Sequence, residues 1–270
     1  MIGQAQLADS FLALHHSRAP LLLPNPWDPG SARLLASLGF EALATTSSGF
    51  AATLGRLDGG VTREEALGHG AALASVTDLP VSADLENGFA DDPEGVAETV
   101  ALAIDAGLVG CSVEDYNRSA DAIYDASLAA DRVAAAAEAA HSGPVHLVLT
   151  ARAENHVRGH DDLADTIARL QRYQDAGADV LFAPGLNRAE DLRRLVASVD
   201  RPVNVLALPN GPTVPELAAL GVRRVSVGGA FAFAALGAMV EAAREFREQG
   251  TYGFWGRARE GSSAARSAFD

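Results

Sequence analysis

The sequence predicts an α/β protein built as a single (β/α)₈ barrel of the TIM type, with an additional C-terminal helical segment. Three observations support this fold class. The chain has 270 residues, and α/β barrels of about 250 residues commonly form one domain. Short apolar runs alternate eight times with segments of helical periodicity. Four of these helical segments end in similar glycine phrases before the next strand.

Short runs rich in Val, Leu and Ala, bounded by Gly, Pro or Asp, are typical of buried strands. We expect strands at residues 21–24, 42–46, 80–86, 110–115, 145–151, 179–183, 202–208 and 223–228. The predicted helices cover residues 29–38, 62–77, 93–106, 127–140, 161–176, 188–199, 214–220 and 230–249. Pro93 after two aspartates and Thr62 before an acidic first turn are typical helix starts. The phrases LGF, AGL, AGA and LGV end four helices, because Gly readily adopts the left-handed closing conformation.

This alternation favours parallel strands with right-handed crossovers, because parallel neighbours need a connection about as long as a helix. An open doubly wound sheet is the alternative. Its GxGxxG phosphate fingerprint is missing from the first strand-to-helix turn, PNPWDPGS at residues 24–31. We therefore predict a catalytic barrel at residues 1–255 and a polar tail at residues 256–270, which is frayed or packed against a partner.

Composition limits the partners and the compartment. With 35 acidic and 21 basic residues the formal charge is −14, which disfavours nucleic acid and anionic membranes as partners. Cys111 is the only cysteine, so no intrachain disulfide can form and a reducing compartment, the cytoplasm, is expected. The sequence shows neither a signal-peptide pattern nor an apolar run long enough to span a bilayer.

Acidic residues follow two neighbouring predicted strands at the barrel's carboxyl end, where catalytic residues of such barrels lie. Asp84 and Glu86 are two apart and are expected on one face of a strand, with Glu114 leaving the next strand. Three close carboxylates repel one another unless a proton or a cation intervenes, and oxygen ligands select Mg²⁺, Mn²⁺ or Ca²⁺. We predict Mg²⁺, with Mn²⁺ as a substitute. The alternative is that these acids cap helices or pair with surface arginines.

Arg152 and Glu154 repeat this spacing on the fifth predicted strand. An arginine in an acidic mouth suits bidentate capture of a small-molecule carboxylate substrate. The alternative is an internal pair of Arg152 with Glu154 or Glu114 that only holds the rim together. Ser47, Ser48 and Gly49 offer hydroxyl and backbone N–H groups to an anion, although such residues are common in loops.

Other residues near the predicted mouth have less specific roles. Trp27 is expected to form a wall of the mouth, and Asp28 to cap the next helix. Cys111 is expected to be a core residue rather than a nucleophile. The seven histidines form no metal-spaced pair on a recognisable strand end, so we expect most of them at the surface or at helix ends.

Taken together, these segments resemble the isocitrate lyase and phosphoenolpyruvate mutase superfamily. The resemblance spans residues 21–229 and rests on seven segments: NPWDPGSARLLASLGFEALATTSSG, LDGGVTREE, ADLENGF, SVEDY, LTARAEN, YQDAGADVLF and PVNVLALPNGPTVPELAALGVRRVSVGG.

The resemblance implies a role for several residues. Asp84 is expected to bind Mg²⁺ directly, and Asp58, Glu86 and Glu114 mainly through water. The segment Thr46, Ser47, Ser48, Gly49 is expected to donate backbone groups to the substrate, and Arg152 to hold its carboxylate. Arg152, Glu114 and Asp58 are the candidate catalytic residues, with Trp27, Asp84 and Asn204 beside the substrate. A homotetramer or dimer that exchanges a C-terminal helix is also implied.

One loop departs from the family pattern. Carbon–carbon lyases of this superfamily carry KKCGH after the fourth strand, whose cysteine protonates the departing enolate, whereas this chain has EDYNRSADAIYD. The missing acid favours decarboxylation of an oxaloacetate-like 2-oxo acid, because water can protonate the resulting enolate. The sequence thus predicts a Mg²⁺-dependent carbon–carbon lyase or decarboxylase of small 2-oxo or 2-hydroxy dicarboxylates. Carbon–phosphorus chemistry on phosphonopyruvate is one alternative, and non-catalytic binding of 2-oxoglutarate or oxalate is another.

Overall fold

The computed structural model describes residues 2–269; Met1 and Asp270, the end residues of the predicted barrel and tail, lie outside the described part. Its ten strands are β1 (Leu21–Leu23), β2 (Leu43–Ala44), β3 (Val81–Asp84), β4 (Gly110–Glu114), β5 (Tyr116–Asn117), β6 (Ala122–Ile123), β7 (Val148–Arg152), β8 (Val180–Phe182), β9 (Val203–Leu206) and β10 (Arg224–Ser226). Eight of them form one parallel sheet in the order β1-β10-β9-β8-β7-β4-β3-β2, and β5 pairs with β6 as a separate antiparallel hairpin. The predicted barrel class is confirmed.

The barrel closes between β1 and β2 through one backbone hydrogen bond and one side chain. The backbone N–H of Ala44 donates to the carbonyl of Pro24 at 3.1 Å. The Asn25 amide donates to the Thr45 carbonyl at 2.9 Å, and its oxygen accepts from the backbone of Gly228 at 2.8 Å. Asn25 thus joins the ends of β1, β2 and β10, a role that the sequence analysis did not predict.

All eight predicted helices are present, and the structure adds further ones. The helices are α1 (Gln4–Leu14), α2 (Pro29–Ser37), α3 (Ser47–Thr53), α4 (Arg63–Ala74), α5 (Pro93–Asp105), α6 (Ala126–His141), α7 (Leu163–Asp175), α8 (Ala189–Ala197), α9 (Val214–Ala219), α10 (Ala230–Gln249) and α11 (Trp255–Phe269). A short 3₁₀ helix covers His156–Arg158. Asp28 caps α2 as predicted, and Thr62 forms a capping box with Glu65 at the start of α4. None of the helices within residues 2–269 is both long and apolar enough to cross a membrane.

Helix α1 was not predicted, and it covers the amino end of the barrel. Ala8 and Phe11 on its inner face are fully buried, and they pack with Leu21, Val148 and Val180 in an apolar cluster separate from the larger core between sheet and helices. A Cβ at Gly110 would lie 2.6 Å from the Phe11 ring, so glycine is needed there for this close approach. Helix α1 therefore covers the amino end of the barrel with an apolar face.

The polar tail is helical over its described residues. Helix α11 packs against α2 of the same chain, where the Phe269 ring lies beside Gly30. Several large apolar side chains of α10 and of the segment after it remain exposed, including Phe233, Met239 and Phe246. The fold class with a C-terminal helical segment is confirmed.

Candidate active site

A cavity of about 220 Å³ opens inside the barrel at the carboxyl ends of the parallel strands. Its lining includes residues 46–48 and the side chains of Asp58, Asp84, Arg152 and Asn204. Active sites of such barrels lie at this end, where the loops after the strands converge. We therefore take this cavity as the candidate active site.

Asp84 is the last residue of β3, and its carboxylate lies at the edge of the cavity. Its Oδ2 accepts hydrogen bonds from the Ser47 hydroxyl at 2.9 Å and from the Ser47 backbone N–H at 3.3 Å. Ser47 begins α3, and N–H groups in the first turn of a helix have no partner within the helix. The start of α3, capped by Thr46, therefore positions the Asp84 carboxylate.

Arg152 is the last residue of β7, and its guanidinium joins three carboxylates. Nη1 lies 3.1 Å from Asp84, while Nη2 lies 3.0 Å from Glu114 and 2.8 Å from Glu154. Burial alone would lower the pKa of Arg152, but the negative charges of Glu154 and Glu114 raise it well above its usual value. The internal pairs that the sequence analysis gave as the alternative to substrate capture are therefore formed.

A second arginine, Arg118, joins two more acids from the turn of the β5–β6 hairpin. Its Nε lies 2.8 Å from Glu86 and its Nη2 lies 2.8 Å from Asp58. Gly59 has φ +80°, and a Cβ there would lie 2.7 Å from the Arg118 side chain. The glycine thus allows the guanidinium to lie flat against the loop that carries Asp58.

The expectation that Asp84 and Glu86 extend from one strand face is wrong. Strand β3 ends at Asp84, and Glu86 has φ +49°, a left-handed conformation that breaks strand alternation. The backbones of Glu86 and Glu114 still lie side by side, because the backbone N–H of Glu114 donates to the Glu86 carbonyl at 2.8 Å. The Arg152 guanidinium joins the carboxylates of Glu114 and Asp84. Glu86 and Glu114 are buried beside the cavity rather than lining it.

The carboxylate cluster, defined as Asp58, Asp84, Glu86 and Glu114, has the chemistry of a hard cation site. Burial raises the pKa of Glu86 to about 7 and that of Glu114 to about 8, so neither acid ionises readily. One buried oxygen of Glu86 and one of Glu114 accept no hydrogen bond. An all-oxygen donor set with unused acceptors fits Mg²⁺ or Mn²⁺.

The floor of the cavity is polar, and no acid within residues 2–269 lies there. Asn204 on β9 donates to the Ser226 hydroxyl at 3.0 Å, and Arg224 at the start of β10 donates to the Thr150 hydroxyl at 3.0 Å. All four side chains are buried. Asn204 was predicted beside the substrate, whereas Arg224 and Ser226 were missed. Alternation along β10 places residues 224 and 226 on one face, and this signal could have revealed them.

Two predicted substrate residues lie outside the cavity lining. Gly49 is buried in α3, and Trp27 packs against its backbone, where a Cβ at residue 49 would lie 3.3 Å from the Trp27 Cβ. Trp27 therefore supports the helix that holds Asp84 instead of forming a wall of the mouth.

The cavity lining includes no thiol, imidazole or amine among the described residues. Its lining within residues 2–269 includes no Cys or His side chain, and the sequence contains no lysine. Cys111 is fully buried as predicted, and burial raises the pKa of its thiol far above the usual value. Schiff-base chemistry and thiol acid catalysis are therefore not available to these side chains.

A separate histidine cluster lies at the amino end of the sheet. His141 and His146 stack on each other, and their Nε2 atoms lie 3.0 and 3.1 Å from the two oxygens of buried Asp179. The sequence pattern did not predict this contact, because Asp179 lies before β8, 38 and 33 positions from the two histidines. The ligand atoms of the three side chains lie within 4.8 Å of one another, a spacing that could hold a metal ion, and none of the three lines the cavity.

Comparisons with known proteins agree with this geometry. The sequence profile of the phosphoenolpyruvate phosphomutase family matches residues 11–247. A crystal structure from Burkholderia cenocepacia J2315, described provisionally as a lyase/mutase, is 52% identical, with a TM-score of 0.90 over 93% of this chain and 91% of that chain.

Two relatives with named reactions are more distant. An oxaloacetate decarboxylase of Chromohalobacter salexigens is 30% identical over 91% of this chain and 87% of its own length. The structure of 2,3-dimethylmalate lyase, described as a member of the PEP mutase/isocitrate lyase superfamily, is 27% identical, with a TM-score of 0.83 over 94% of this chain and 90% of that chain. From the family profile, the relatives and the shared barrel, this chain belongs to the isocitrate lyase and phosphoenolpyruvate mutase superfamily.

Proposed function

We propose that this protein is a Mg²⁺-dependent enzyme that decarboxylates a small 2-oxo dicarboxylate of the oxaloacetate type. The observation that carries this proposal is a carboxylate cluster beside a cavity without Cys, His or Lys side chains. Cleavage of a hydroxy acid needs a base for the hydroxyl proton and an acid for the departing enolate. Decarboxylation of a 2-oxo acid needs neither at the first step.

Asp84 is the residue that we propose as the direct metal ligand, with Asp58, Glu86 and Glu114 around it. A divalent cation supplies positive charge where negative charge grows on the 2-oxo group. Mn²⁺ suits the same oxygen ligands. The raised pKa values of Glu86 and Glu114 support the proposal, because a cation would replace the protons that these acids otherwise retain.

The chain's own groups would position the substrate. Arg152 faces the cavity with a guanidinium that it shares between Asp84 and two glutamates, so a substrate carboxylate can take the place of one of them. The hydroxyls at residues 46–48 line the wall beside Asp84. When the carbon–carbon bond breaks, CO₂ leaves with the electron pair remaining as an enolate, and water supplies the proton that forms the 2-oxo acid product.

We also propose that the protein forms a homo-oligomer, in which α11, packed here against α2 of its own chain, can pack against a second copy instead. The support is the row of exposed apolar residues on α10, including Phe233, Met239 and Phe246, because monomers rarely expose such a large apolar surface. A second copy of the same chain would cover it.

The proposal is tested by following oxaloacetate decay in the presence of Mg²⁺, above the rate of the metal alone. Asp84→Asn should lower the enzymatic rate at least about 100-fold, because the charge that holds the metal is lost. Asp92→Asn is the matched control. Asp92 caps α5 outside the cavity, and asparagine caps equally well.

An unchanged rate in Asp84→Asn would contradict the proposal. Phosphonopyruvate is assayed in parallel, and its conversion in place of oxaloacetate would favour carbon–phosphorus chemistry. If both acids bind and survive intact, the protein is a binding barrel.

A further inference from the structure

Arg224 is a buried cation without a counter-ion. Its residue is 4% exposed, and among residues 2–269 no carboxylate forms an ion pair with it. Its partners are the Thr150 hydroxyl at 3.0 Å and the His15 Nε2 at 3.3 Å. The Nε atom of Arg224 has no hydrogen-bond partner at all.

His15 cannot supply the missing negative charge, nor does it add a positive one. Its Nδ1 lies 2.7 Å from the Phe11 carbonyl, which accepts the ring's N–H, so Nε2 is the bare nitrogen that accepts from Arg224. Burial and the charge of Arg224 also lower the pKa of His15 to about 3. The imidazole is therefore neutral, and the positive charge of Arg224 is uncompensated.

An isolated buried charge is costly, and proteins retain one where a ligand completes the pair. Burial lowers the pKa of Arg224 to about 9, which leaves the guanidinium charged at pH 7. Arg224 lines the same cavity as Arg152 and Asp84. Asn204, whose Oδ1 has no hydrogen-bond partner within residues 2–269, lines this cavity as well.

The two arginines lie at different depths. Arg224 contacts Thr150, which precedes Arg152 by two residues on β7, a strand rise of about 7 Å. A short dicarboxylate can span this distance with one end at the rim and the other at the floor. Asn204 can also donate to the carboxylate at the floor, because rotation of its amide exchanges the Ser226 contact between nitrogen and oxygen.

We propose that Arg224 determines substrate specificity by binding the second carboxylate of the substrate at the floor of the cavity. Asn204 and Ser226 assist in binding this carboxylate. The inference rests on the proposed function for the orientation of the substrate, with its 2-oxo or 2-hydroxy end at the carboxylate cluster. Arg224 would therefore select dicarboxylates over monocarboxylates of the same length.

A purely structural Arg224 would tie α1 to β7 through His15 and Thr150. Such a strut would affect stability, yet it would not distinguish two ligands that differ only at one end. Malate and 2-hydroxybutyrate are such a pair, because a methyl group in the second replaces a carboxylate in the first. Neither is an oxaloacetate-type acid, so binding can be measured apart from decarboxylation.

Affinities for malate and 2-hydroxybutyrate are measured by isothermal titration calorimetry with Mg²⁺ present. The wild-type protein should prefer malate. Arg224→Met should weaken malate binding roughly 10- to 100-fold and leave 2-hydroxybutyrate within about twofold, as expected for loss of a charged hydrogen bond. Arg224→Gln, which keeps a hydrogen-bonding side chain without the charge, should show the same loss and serves if Arg224→Met does not fold.

Arg223→Met is the matched control, because Arg223 precedes Arg224 and binds the Ser17 carbonyl at the surface instead of the cavity. Equal affinity of the wild type for the two acids overturns the inference, and so does an unchanged malate preference in both Arg224 variants. Decarboxylation without a malate preference would refute only Arg224's role. A malate preference without decarboxylation would refute only the proposed reaction.

Discussion

The rim and the floor of the cavity hold arginines in opposite environments. At the rim, Arg152 touches Asp84, Glu114 and Glu154. At the floor, Arg224 touches only neutral groups. At the rim acidic side chains outnumber arginines, so a metal ion can take the place of the protons that Glu86 and Glu114 retain. At the floor a positive charge is left that an anion can balance. The cavity is therefore electrostatically asymmetric, which suits a cation bound together with a dianionic acid.

The largest expected effect on stability comes from replacing the rim arginine, Arg152. Arg152→Met leaves three carboxylates without their shared partner, and we expect it to lower the free energy of unfolding by about 3–5 kcal/mol. Arg224→Met removes a charge that has no ion-pair partner, so its cost should be about 1 kcal/mol or less. Urea denaturation of both variants at pH 7 measures the contrast, and equal losses would show that rim and floor do not differ in this way.

A second effect concerns pH. Burial raises the pKa of Glu86 to about 7 and that of Glu114 to about 8, above the ordinary value of 4.5. The folded protein therefore binds more protons than the unfolded chain between about pH 4.5 and 8, and its stability falls as pH rises through this window. Together the two shifts predict that the metal-free protein loses on the order of 5 kcal/mol between pH 5 and pH 8.

Urea titrations in EDTA at several pH values measure this slope. Glu86→Gln should make the free energy of unfolding less dependent on pH, because the amide does not ionise. Mg²⁺ should oppose the loss of stability at high pH by binding the ionised acids. Asp179 has the opposite shift: burial acts to raise its pKa, but its hydrogen bond with His141 lowers it. Its stabilising effect is lost only when pH falls below this window, so it does not add to the slope. A slope that is the same in Glu86→Gln would show that the cluster is already ionised at pH 5.

The smallest effect is expected at the outer edge of the rim. Arg118 is about one-third exposed and joins the still more exposed Asp58 to buried Glu86. Solvent screens the pair with Asp58, and the raised pKa of Glu86 lets that acid hold a proton when the arginine is lost. Arg118→Gln should cost no more than about 1 kcal/mol, similar to Arg63→Gln at the surface pair with Glu98. Thermal unfolding compares the two, and a much larger loss in Arg118→Gln would make the hairpin an essential part of the rim.

Local sequence pattern was sufficient for most of the fold. The eight alternating units and the glycine phrases predicted every strand and outer helix of the barrel, because periodicity and helix termination depend on neighbouring residues. Helices α1 and α3 were missed for local reasons. No strand precedes α1, and the start of α3 at Ser47 consists of residues that are common in loops.

The candidate site was only partly predictable. Strand alternation pointed Asp84 and Arg152 into the mouth, and both line the cavity. The same rule failed for Glu86, because the strand ends before this residue and a left-handed backbone places it beside the cavity instead of in its lining. Arg224 and Ser226 obey alternation on β10, so the same rule could have placed them on one face, but it does not predict which groups surround them.

The sequence by itself determined a (β/α)₈ barrel with acids and an arginine at its carboxyl end, because side-chain periodicity and strand order are local properties. Only the tertiary structure decided how each charge is balanced. Arg152 meets Asp84 across 68 positions of sequence, and Arg224 meets His15 across 209. Electrostatic interaction depends on distance in space and on burial, so two arginines of one barrel acquire opposite surroundings that no local pattern records.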